Sequence, residues 1–367
     1  MKSSPTSPHS GYHWRGQGFF TSRFFEGWYL RLTLPDVAQT FAFMYSIDDP
    51  AGGTEHSGGA AQILGPDESY YCRSFAEVNQ FWAWPHQLGL GHWRSAKNGA
   101  RSRYLNAADF AQVVSEGYQV TSHHHQGKLL LPSGHTKAEW DYCIAPVYGW
   151  GGDWGSARHK ATAGWLSYLP VFEPGWQVLM AHGLASGWIY WQGKRYTFDR
   201  APAYAEKNWG GAFPVKWFWL QCNAFADAPD LSITAVGGVR DVLIWQEDVG
   251  LIGIHYQGEF YEFLSTTSSF SWTVSPWGHW HLSANNYRYR IEITGRAVDE
   301  GAWVRVPTHE GLRWLCRDIT HGEMQLRLWQ RAGRNEETVI LAATSQLAGL
   351  EVGGGPWDEA WVVEKST

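Results

Sequence analysis

The chain has 367 residues, a formal net charge of -6 at pH 7 and a charged fraction of 17%. At roughly 100–200 residues per domain, this length predicts two domains. The mild acidity, without a run of Lys and Arg, argues against nucleic-acid binding, which needs a basic patch. The 24 Trp, 17 Tyr and 17 Phe are typical either of aromatic packing in sheets or of a pocket for a large hydrophobic ligand.

The first predicted strand, residues 24–34, carries a carboxyl group on its apolar side. Alternate residues share a face, so Glu26 and Trp28 fall on the same side as three leucines and opposite Arg31. If the apolar side is the interior, burial would raise the pKa of Glu26 and let it donate a proton at neutral pH. The alternative is a structural glutamate paired with a buried cation such as Lys207.

Strand patterns continue along the chain, and the 41 glycines fit many tight turns. Segments 41–47 and 287–294 alternate apolar and polar residues as half-buried strands do. Segment 74–84 predicts a short helix that ends before Pro85. Long helical periodicity is scarce, so we expect an all-β protein of two barrels or sandwiches. A barrel mouth or a cleft between barrels would hold one apolar ligand.

Metal, disulfide and membrane-spanning signals are weak. The four cysteines are far apart and form no CxxC pair, so we expect reduced thiols and no zinc site. His123, His124 and His125 cannot all point one way, and we expect an exposed loop or strand edge there rather than metal ligands. The N-terminus lacks a signal-peptide core, and no apolar stretch reaches about 20 residues. We therefore expect a soluble or membrane-surface protein.

Segment 203–223 is the most informative part of the sequence. It joins the carboxylate of Glu206, the ammonium of Lys207 and the amide of Asn208 to a Trp-Gly-Gly turn and a tryptophan-bearing strand. The combination suits an apolar pocket that handles charge. The alternatives are an ion pair for Glu206, turn-closing hydrogen bonds for Lys207 and Asn208, and simple core positions for the tryptophans. Those tryptophans are Trp209, Trp217 and Trp219.

This segment resembles the signature of the tocopherol cyclase family, and further blocks do so in order along nearly the whole chain. The blocks span residues 10–14, 23–29 (Arg23-Phe24-Phe25-Glu26-Gly27-Trp28-Tyr29), 146–151, 162–177, 187–191, 253–256, 274–278, 316–318 (Cys316-Arg317-Asp318) and 351–357. The first block lies close to the N-terminus, without the Ser/Arg-rich leader of plant members. We therefore expect a bacterial, cyanobacterial-type member.

The resemblance implies two lipocalin-like antiparallel β-barrel domains, residues 1–198 and 199–367, with a ligand pocket in or between them. It implies closure of a phytyl-benzoquinol to a chromanol without metal, flavin or nucleotide. Geranylgeranyl or plastoquinol analogues are further expected substrates. We expect a cytoplasmic location, peripheral to a thylakoid membrane or lipid droplets. The competing hypotheses are a hydratase of prenyl or carotenoid double bonds on the same fold, and a non-catalytic lipid-binding protein.

The implied reaction needs an acid for the alkene, aromatic faces for the cation and an acceptor for the phenol proton. As acids we rank Glu26 and Glu206 first and Asp318 behind them. Lys207 and Asn208 are candidates to bind a quinol oxygen. The candidates to orient the quinol ring are Tyr148, His182 and His255, and those to face the cation are Trp28, Trp209, Trp217 and Trp219. Each of these histidines and tryptophans has a core position as its alternative.

Overall fold

The fold is set by long antiparallel strands, as seen in a computed structural model that describes residues 6–16, 23–95, 100–168, 174–242, 245–308, 310–332 and 336–364. The strands of the first sheet are β1 Phe25–Leu34, β2 Gln39–Asp48, β3 Gly58–Gly65, β4 Ser69–Phe75, β5 Phe81–Ala83, β6 Gly89–Ser95, β7 Val114–Thr121, β8 His124–Leu130, β9 Thr136–Gly149, β10 Gly152–Asp153, β11 Gly175–Trp191 and β12 Lys194–Gly210. They follow the order β4-β3-β2-β1-β12-β11-β9-β8-β7-β6-β5, with β10 paired to β9.

A second antiparallel sheet follows in the chain. Its strands are β13 Lys216–Cys222, β14 Ser232–Val242, β15 Trp245–Tyr256, β16 Glu259–Leu264, β17 Ser269–Val274, β18 His279–Asn285, β19 Tyr289–Arg296, β20 Ala302–Thr308, β21 Gly311–Arg331, β22 Glu337–Gly354 and β23 Trp361–Glu364. Their order is β16-β15-β14-β13-β22-β21-β19-β18-β17-β23, with β20 paired to β21. The helical segments are α1 Ala107–Val113 and the 3-10 turns Pro35–Val37, Pro66–Glu68, Val78–Gln80 and Gly164–Tyr168.

Each sheet curls around its own apolar core. Inward residues from β1, β2, β3, β7, β9 and β11 meet in one cluster of the first sheet. A separate cluster collects the inward residues of the second sheet. The prediction of an all-β fold is confirmed, with two curled antiparallel sheets. Within the described ranges, no helix combines the length and the apolar composition that crossing a membrane requires.

The division of the chain at residues 198 and 199 stays a prediction. Strand β12 runs through that position, from Lys194 to Gly210. The chain passes from the first sheet to the second between Gly210 and Lys216. A boundary in this connection would keep β12 whole and assign one sheet to each part.

One local prediction is wrong, and another holds only in part. Segment 74–84 is not a helix, because Phe75 is buried in β4 opposite Gly59 and Phe81 begins β5. Strand pairing and aromatic burial therefore outweigh a short helical repeat. Of the three histidines, His123 is exposed in the bend before β8, as predicted. His125 is instead fully buried in β8, which lies between β7 and β9, and it contacts the hydroxyl of Tyr45 at 2.5 Å.

A buried cation joins the two sheets. Arg31 of β1, 1% exposed, donates to the side-chain oxygen of Gln221 at 3.1 Å and to the carbonyl oxygens of Thr320 at 2.6 Å and Leu347 at 2.7 Å. All three acceptors belong to the second half of the chain. Desolvating a guanidinium is costly unless its donors are paired, so this contact fixes the relative position of the sheets.

We expect Arg31→Met to lower the free energy of unfolding by at least about 2 kcal/mol, because buried acceptors lose a charged donor. Urea unfolding followed by tryptophan fluorescence measures the change. The control is Arg296→Met, whose exposed ion pair with Glu323 should contribute less than about 1 kcal/mol. Equal effects of the two substitutions would contradict the bridging role of Arg31.

Candidate active site

A cavity of about 260 Å³ lies between the two sheets. The first sheet contributes Trp176, Glu206 and Asn208 to its lining, and the second contributes Trp217, Trp219 and Glu351, among others. Much of the remaining wall is apolar and comes from β14, β15 and β16: Val236, Val249, Leu251 and Leu264. The site is thus a largely apolar, tryptophan-rich space with three carboxyl groups in its described lining, those of Glu206, Glu247 and Glu351.

Strand pairing decides which of the predicted residues reach this cavity. In the β1–β12 ladder Tyr29 stands opposite Glu206, and Trp28 stands opposite Lys207. Because opposite residues of an antiparallel pair share a face, Tyr29 and Glu206 point toward the second sheet. Trp28 and Lys207 point into the core of the first sheet.

Glu206 is held in the cavity wall by two donors. Its Oε2 atom accepts from the Tyr204 hydroxyl at 2.6 Å and from Trp219 Nε1 at 3.0 Å. Burial raises the pKa of Glu206 to about 7; the nearby Glu351 adds to this rise, and the bond from Tyr204 opposes it. A carboxyl group with such a pKa is available in protonated form near neutral pH.

Two more carboxyl groups stand next to each other on the second sheet. Asp318 of β21 pairs directly with Glu351 of β22. Trp217 Nε1 donates to Glu351 Oε1 at 2.5 Å, and burial raises the pKa of Glu351 to about 7. Asp318 is 1% exposed, and neither of its carboxyl oxygens has a hydrogen-bond partner among the described residues. Burial, followed by the charge of Glu351, raises the pKa of Asp318 well above its usual value.

Sequence reasoning missed Glu351 as a site residue. Its only signal was its position at the start of the block 351–357. Tyr29 was also missed, although its hydroxyl oxygen is buried and has no partner in the part of the chain that the structure describes. The ring of Tyr29 lies edge-on to Trp219, with 5.2 Å between centroids. Both residues come from strands distant in sequence from segment 203–223, so only the fold brings them together.

Glu26 and Lys207 form a buried ion pair on the opposite face. Lys207 Nζ lies 2.5 Å from Glu26 Oε1, and both side chains are fully buried. Lys207 also donates to the Gly11 carbonyl at 2.6 Å, and the His13 amide donates to Glu26 Oε2 at 2.8 Å. Burial alone would raise the pKa of Glu26, but Lys207 and His13 outweigh it, and the pKa lies below its usual value. Glu26 therefore holds the N-terminal segment as an ionised group, and we place the proton donor elsewhere.

The tryptophans of this face have structural contacts. Trp28, 3% exposed, lies in the core of the first sheet with Lys207 Nζ 5.8 Å from its ring. Trp209 stacks on His13 with 4.0 Å between ring centroids. Neither residue belongs to the described cavity lining, whereas Trp217 and Trp219 do.

Tyr148, His182 and His255 meet at another point between the sheets. The rings of Tyr148 and His255 stack with 5.0 Å between centroids, and the Gly151 amide donates to His255 Nε2 at 3.3 Å. Burial lowers the pKa of His182 to about 4 and that of His255 to about 3. Both rings are therefore neutral, and none of the three residues is part of the described cavity lining.

No group of three or more His, Cys, Asp or Glu residues suited to a metal ion occurs within the described ranges. Of the three consecutive histidines, His124 Nε2 lies 2.7 Å from a carboxylate oxygen of Asp141. His125, which is fully buried, contacts the hydroxyls of Tyr45 and Tyr142.

Comparisons with known proteins extend the sequence resemblance. A family model described as tocopherol cyclase-like matches residues 22–354. A probable chloroplastic tocopherol cyclase of Oryza sativa subsp. japonica is 42% identical over 382 residues, which cover 97% of this chain and 80% of the relative. A chloroplastic tocopherol cyclase of Zea mays is 42% identical, covering 97% and 79% of the two chains.

Solved structures show weaker similarity. The crystal structure of CghA with Sch210972 has a TM-score of 0.49 and 10% sequence identity, covering 90% of this chain and 88% of that one. Kievitone hydratase from Nectria haematococca has a TM-score of 0.47 and 10% identity, covering 91% and 90%.

We expect Glu26→Gln and Lys207→Met each to lower the free energy of unfolding by about 3 kcal/mol or more, because each leaves one buried charge without its partner. The double variant should cost less than the sum of the two, as coupled residues do. Since the pKa of Glu26 is lowered by folding, its contribution is present at neutral pH and is lost as the pH falls through the folded-state pKa.

Urea unfolding of the wild type, the two single variants and the double variant at pH 7 measures the coupling. Unfolding of the wild type at a series of acidic pH values measures the pH dependence. Strictly additive costs would show that the two charges do not stabilise each other.

Proposed function

Since the chain belongs to the tocopherol cyclase family, it is an enzyme of that class, and we propose that its reaction takes place in the cavity between the two sheets. The substrate is a prenylated benzoquinol. By analogy with the family, 2,3-dimethyl-6-phytyl-1,4-benzoquinol would give γ-tocopherol, and the monomethyl analogue would give δ-tocopherol. Both conversions are isomerisations without a change in oxidation state.

The observation that carries the proposal is the position of Glu206. It lines an apolar cavity, and burial raises its pKa to about 7. In the proposed step its carboxyl proton passes to the less substituted carbon of the prenyl double bond, and the other carbon becomes a tertiary cation. The phenol oxygen then bonds to that carbon and loses its proton.

The cavity wall suits a short-lived cation. Trp176, Trp217 and Trp219 line it, and indole faces attract positive charge more strongly when water is excluded. The Nε1 atoms of Trp217 and Trp219 donate to Glu351 and Glu206, which fixes the orientation of both rings. An apolar wall also keeps water from the cation, where it would compete with the phenol oxygen.

Asn208 is the proposed ligand of a quinol oxygen. It shares the face of Glu206, two residues along β12, and lines the cavity. Lys207 points to the other face, so its proposed role is to fix the N-terminal segment beside the site. Tyr148, His182 and His255 are proposed to support β9, β11 and β15 behind the cavity rather than to orient the ring.

The phytyl chain makes the proposed substrate strongly apolar, so the enzyme must reach a lipid phase to bind it. We expect peripheral contact with a thylakoid membrane or lipid droplets from the cytoplasmic side; the plant relatives are named chloroplastic. On the β20–β21 hairpin, Trp303 is 56% exposed and Trp314 is 48% exposed. Arg305 stacks over Trp314 at 4.5 Å. Exposed indoles beside a cation suit an interface between water and lipid.

We expect anaerobic incubation with 2,3-dimethyl-6-phytyl-1,4-benzoquinol in D2O to give a chromanol with one deuterium on the carbon next to the new quaternary centre. Mass spectrometry of the product measures this. A product heavier by one D2O would indicate a hydratase. Unchanged quinol that co-purifies with the protein would indicate a lipid carrier.

We expect Glu206→Gln to lower kcat at least about a hundredfold, because general acid catalysis typically contributes 10²–10⁴-fold. Since the protonated form is required, wild-type kcat should fall as the pH rises above about 7, where Glu206 ionises, and the variant should lose this dependence. Steady-state rates over a pH series provide the measurement.

The matched control is Glu262→Gln. Glu262 also accepts from an indole, Trp150 Nε1 at 3.2 Å, but it lies outside the described cavity lining. Its kcat should stay within about twofold of the wild type. A Glu206→Gln variant as active as this control would remove Glu206 from the mechanism.

A further inference from the structure

Cyclisation needs a group that takes the phenol proton as well as one that protonates the alkene. When the phenol oxygen bonds to carbon, its O–H bond breaks. The proton must reach a base near the cavity, because the wall around it is largely apolar. The base must also return its proton to Glu206 before the next turnover.

Glu351 is the other carboxyl group of the Glu206–Asp318–Glu351 cluster that lines the cavity. It enters from the second sheet, while Glu206 enters from the first. Glu206 and Glu351 accept from Trp219 and Trp217, which stand two residues apart on one face of β13, so both carboxyl groups meet a substrate in the same cavity. Trp217 Nε1 donates to Glu351, which stabilises its ionised form.

On the basis of the proposed function, on which this assignment rests, we infer that Glu351 accepts the phenol proton and that Asp318 behind it stays protonated throughout. Glu206 gives one proton to carbon, the C=C π bond breaks and a C–H bond forms. The phenol O–H bond breaks as the C–O bond forms, and Glu351 takes that proton. Its return from Glu351 to Glu206 restores the starting state, so one proton enters and one leaves the substrate.

The hydrogen bonds explain why Glu351, and not Asp318, is the ionised member of the pair. Adjacent carboxyl groups in a low-dielectric site cannot both ionise at neutral pH. Glu351 has the indole donor, whereas both oxygens of Asp318 lack a partner among the described residues. Asp318 is also absent from the described lining, so substrate meets Glu351 first.

Among the residues that the structure describes, no cation is placed to neutralise Glu351 directly. From β1, Tyr29 and Arg31 face the cluster; the guanidinium of Arg31 is already bonded to Gln221 and two carbonyls. From β21, the thiol of Cys316 contacts Glu351. From the turn before β4, Glu68 acts on Asp318 and is itself bonded to Thr320. From β12 comes Glu206, and from β15 comes Glu247, which also lines the cavity. The charge of Arg31 lowers the pKa of Asp318, but burial and the charges of Glu351 and Glu68 outweigh it.

The test is the pH dependence of kcat for chromanol formation from the phytyl-benzoquinol. The wild type should lose activity below about pH 7, where Glu351 becomes protonated. We call this loss of activity at low pH the low-pH limb of the profile. Glu351→Gln should lower kcat about a hundredfold, change KM less than about threefold and abolish the low-pH limb. Asp318→Asn, which copies a neutral carboxyl group, should keep that limb.

A second variant leaves Glu351 in place. Trp217→Phe removes the indole donor, so the ionised form of Glu351 loses a hydrogen bond and the low-pH limb should move to higher pH. Glu262→Gln is the control for a glutamate bonded to an indole outside the cavity, and circular dichroism confirms that each variant is folded.

The outcomes separate this assignment from the proposed function. A wild type that forms no chromanol would overturn the function itself. An active wild type whose Glu351→Gln variant keeps its low-pH limb would overturn only the role of Glu351. Loss of the limb in Asp318→Asn would transfer the role of base to Asp318, and an unmoved limb in Trp217→Phe would likewise contradict the assignment.

Discussion

The antiparallel pairing of β1 with β12 is the constraint on which the site depends. The two faces of this strand pair hold carboxyl groups in different electrostatic surroundings. One face holds Glu26 against Lys207, a salt bridge at 2.5 Å in the core of the first sheet. The other face presents Glu206 to the second sheet, and no cation of the described ranges acts on it. The carboxyl groups of Glu26 and Glu206 therefore shift in opposite directions, the pKa of Glu26 down and that of Glu206 up, because the pleat places them in different surroundings.

The second constraint is contact between the sheets, which closes the space that Glu206 enters. Arg31 is bonded across the interface, and Ser232 donates to the Ala181 carbonyl at 2.6 Å. Asn223 donates to the Ala203 carbonyl at 2.9 Å. Such contacts hold the sheets at a fixed distance and keep the carboxyl cluster out of water, and this exclusion is the source of the raised pKa values.

The sequence allowed the strand content, the inward direction of Glu26 and the importance of segment 203–223 to be predicted. These depend on local alternation, which is visible in a single segment. The sequence did not distinguish the faces of Glu206 and Lys207, because which face meets the second sheet depends on the assembled sheets. It also did not identify Glu351 or Tyr29, whose positions follow from pairing between strands far apart in the chain. The helix predicted at 74–84 failed for the same reason, since pairing of Phe75 with Gly59 is non-local.

The two sheets contribute different materials to the cavity. The first sheet supplies Glu206, whereas the aliphatic wall of Val236, Val249, Leu251 and Leu264 comes from the second. Changes in the length or saturation of an acceptable prenyl tail can therefore arise by altering β14–β16 while β12, which carries the proposed proton donor, stays the same. If such enzymes differ in the prenyl tails that they accept, the sequence differences responsible should lie in the second half of the chain.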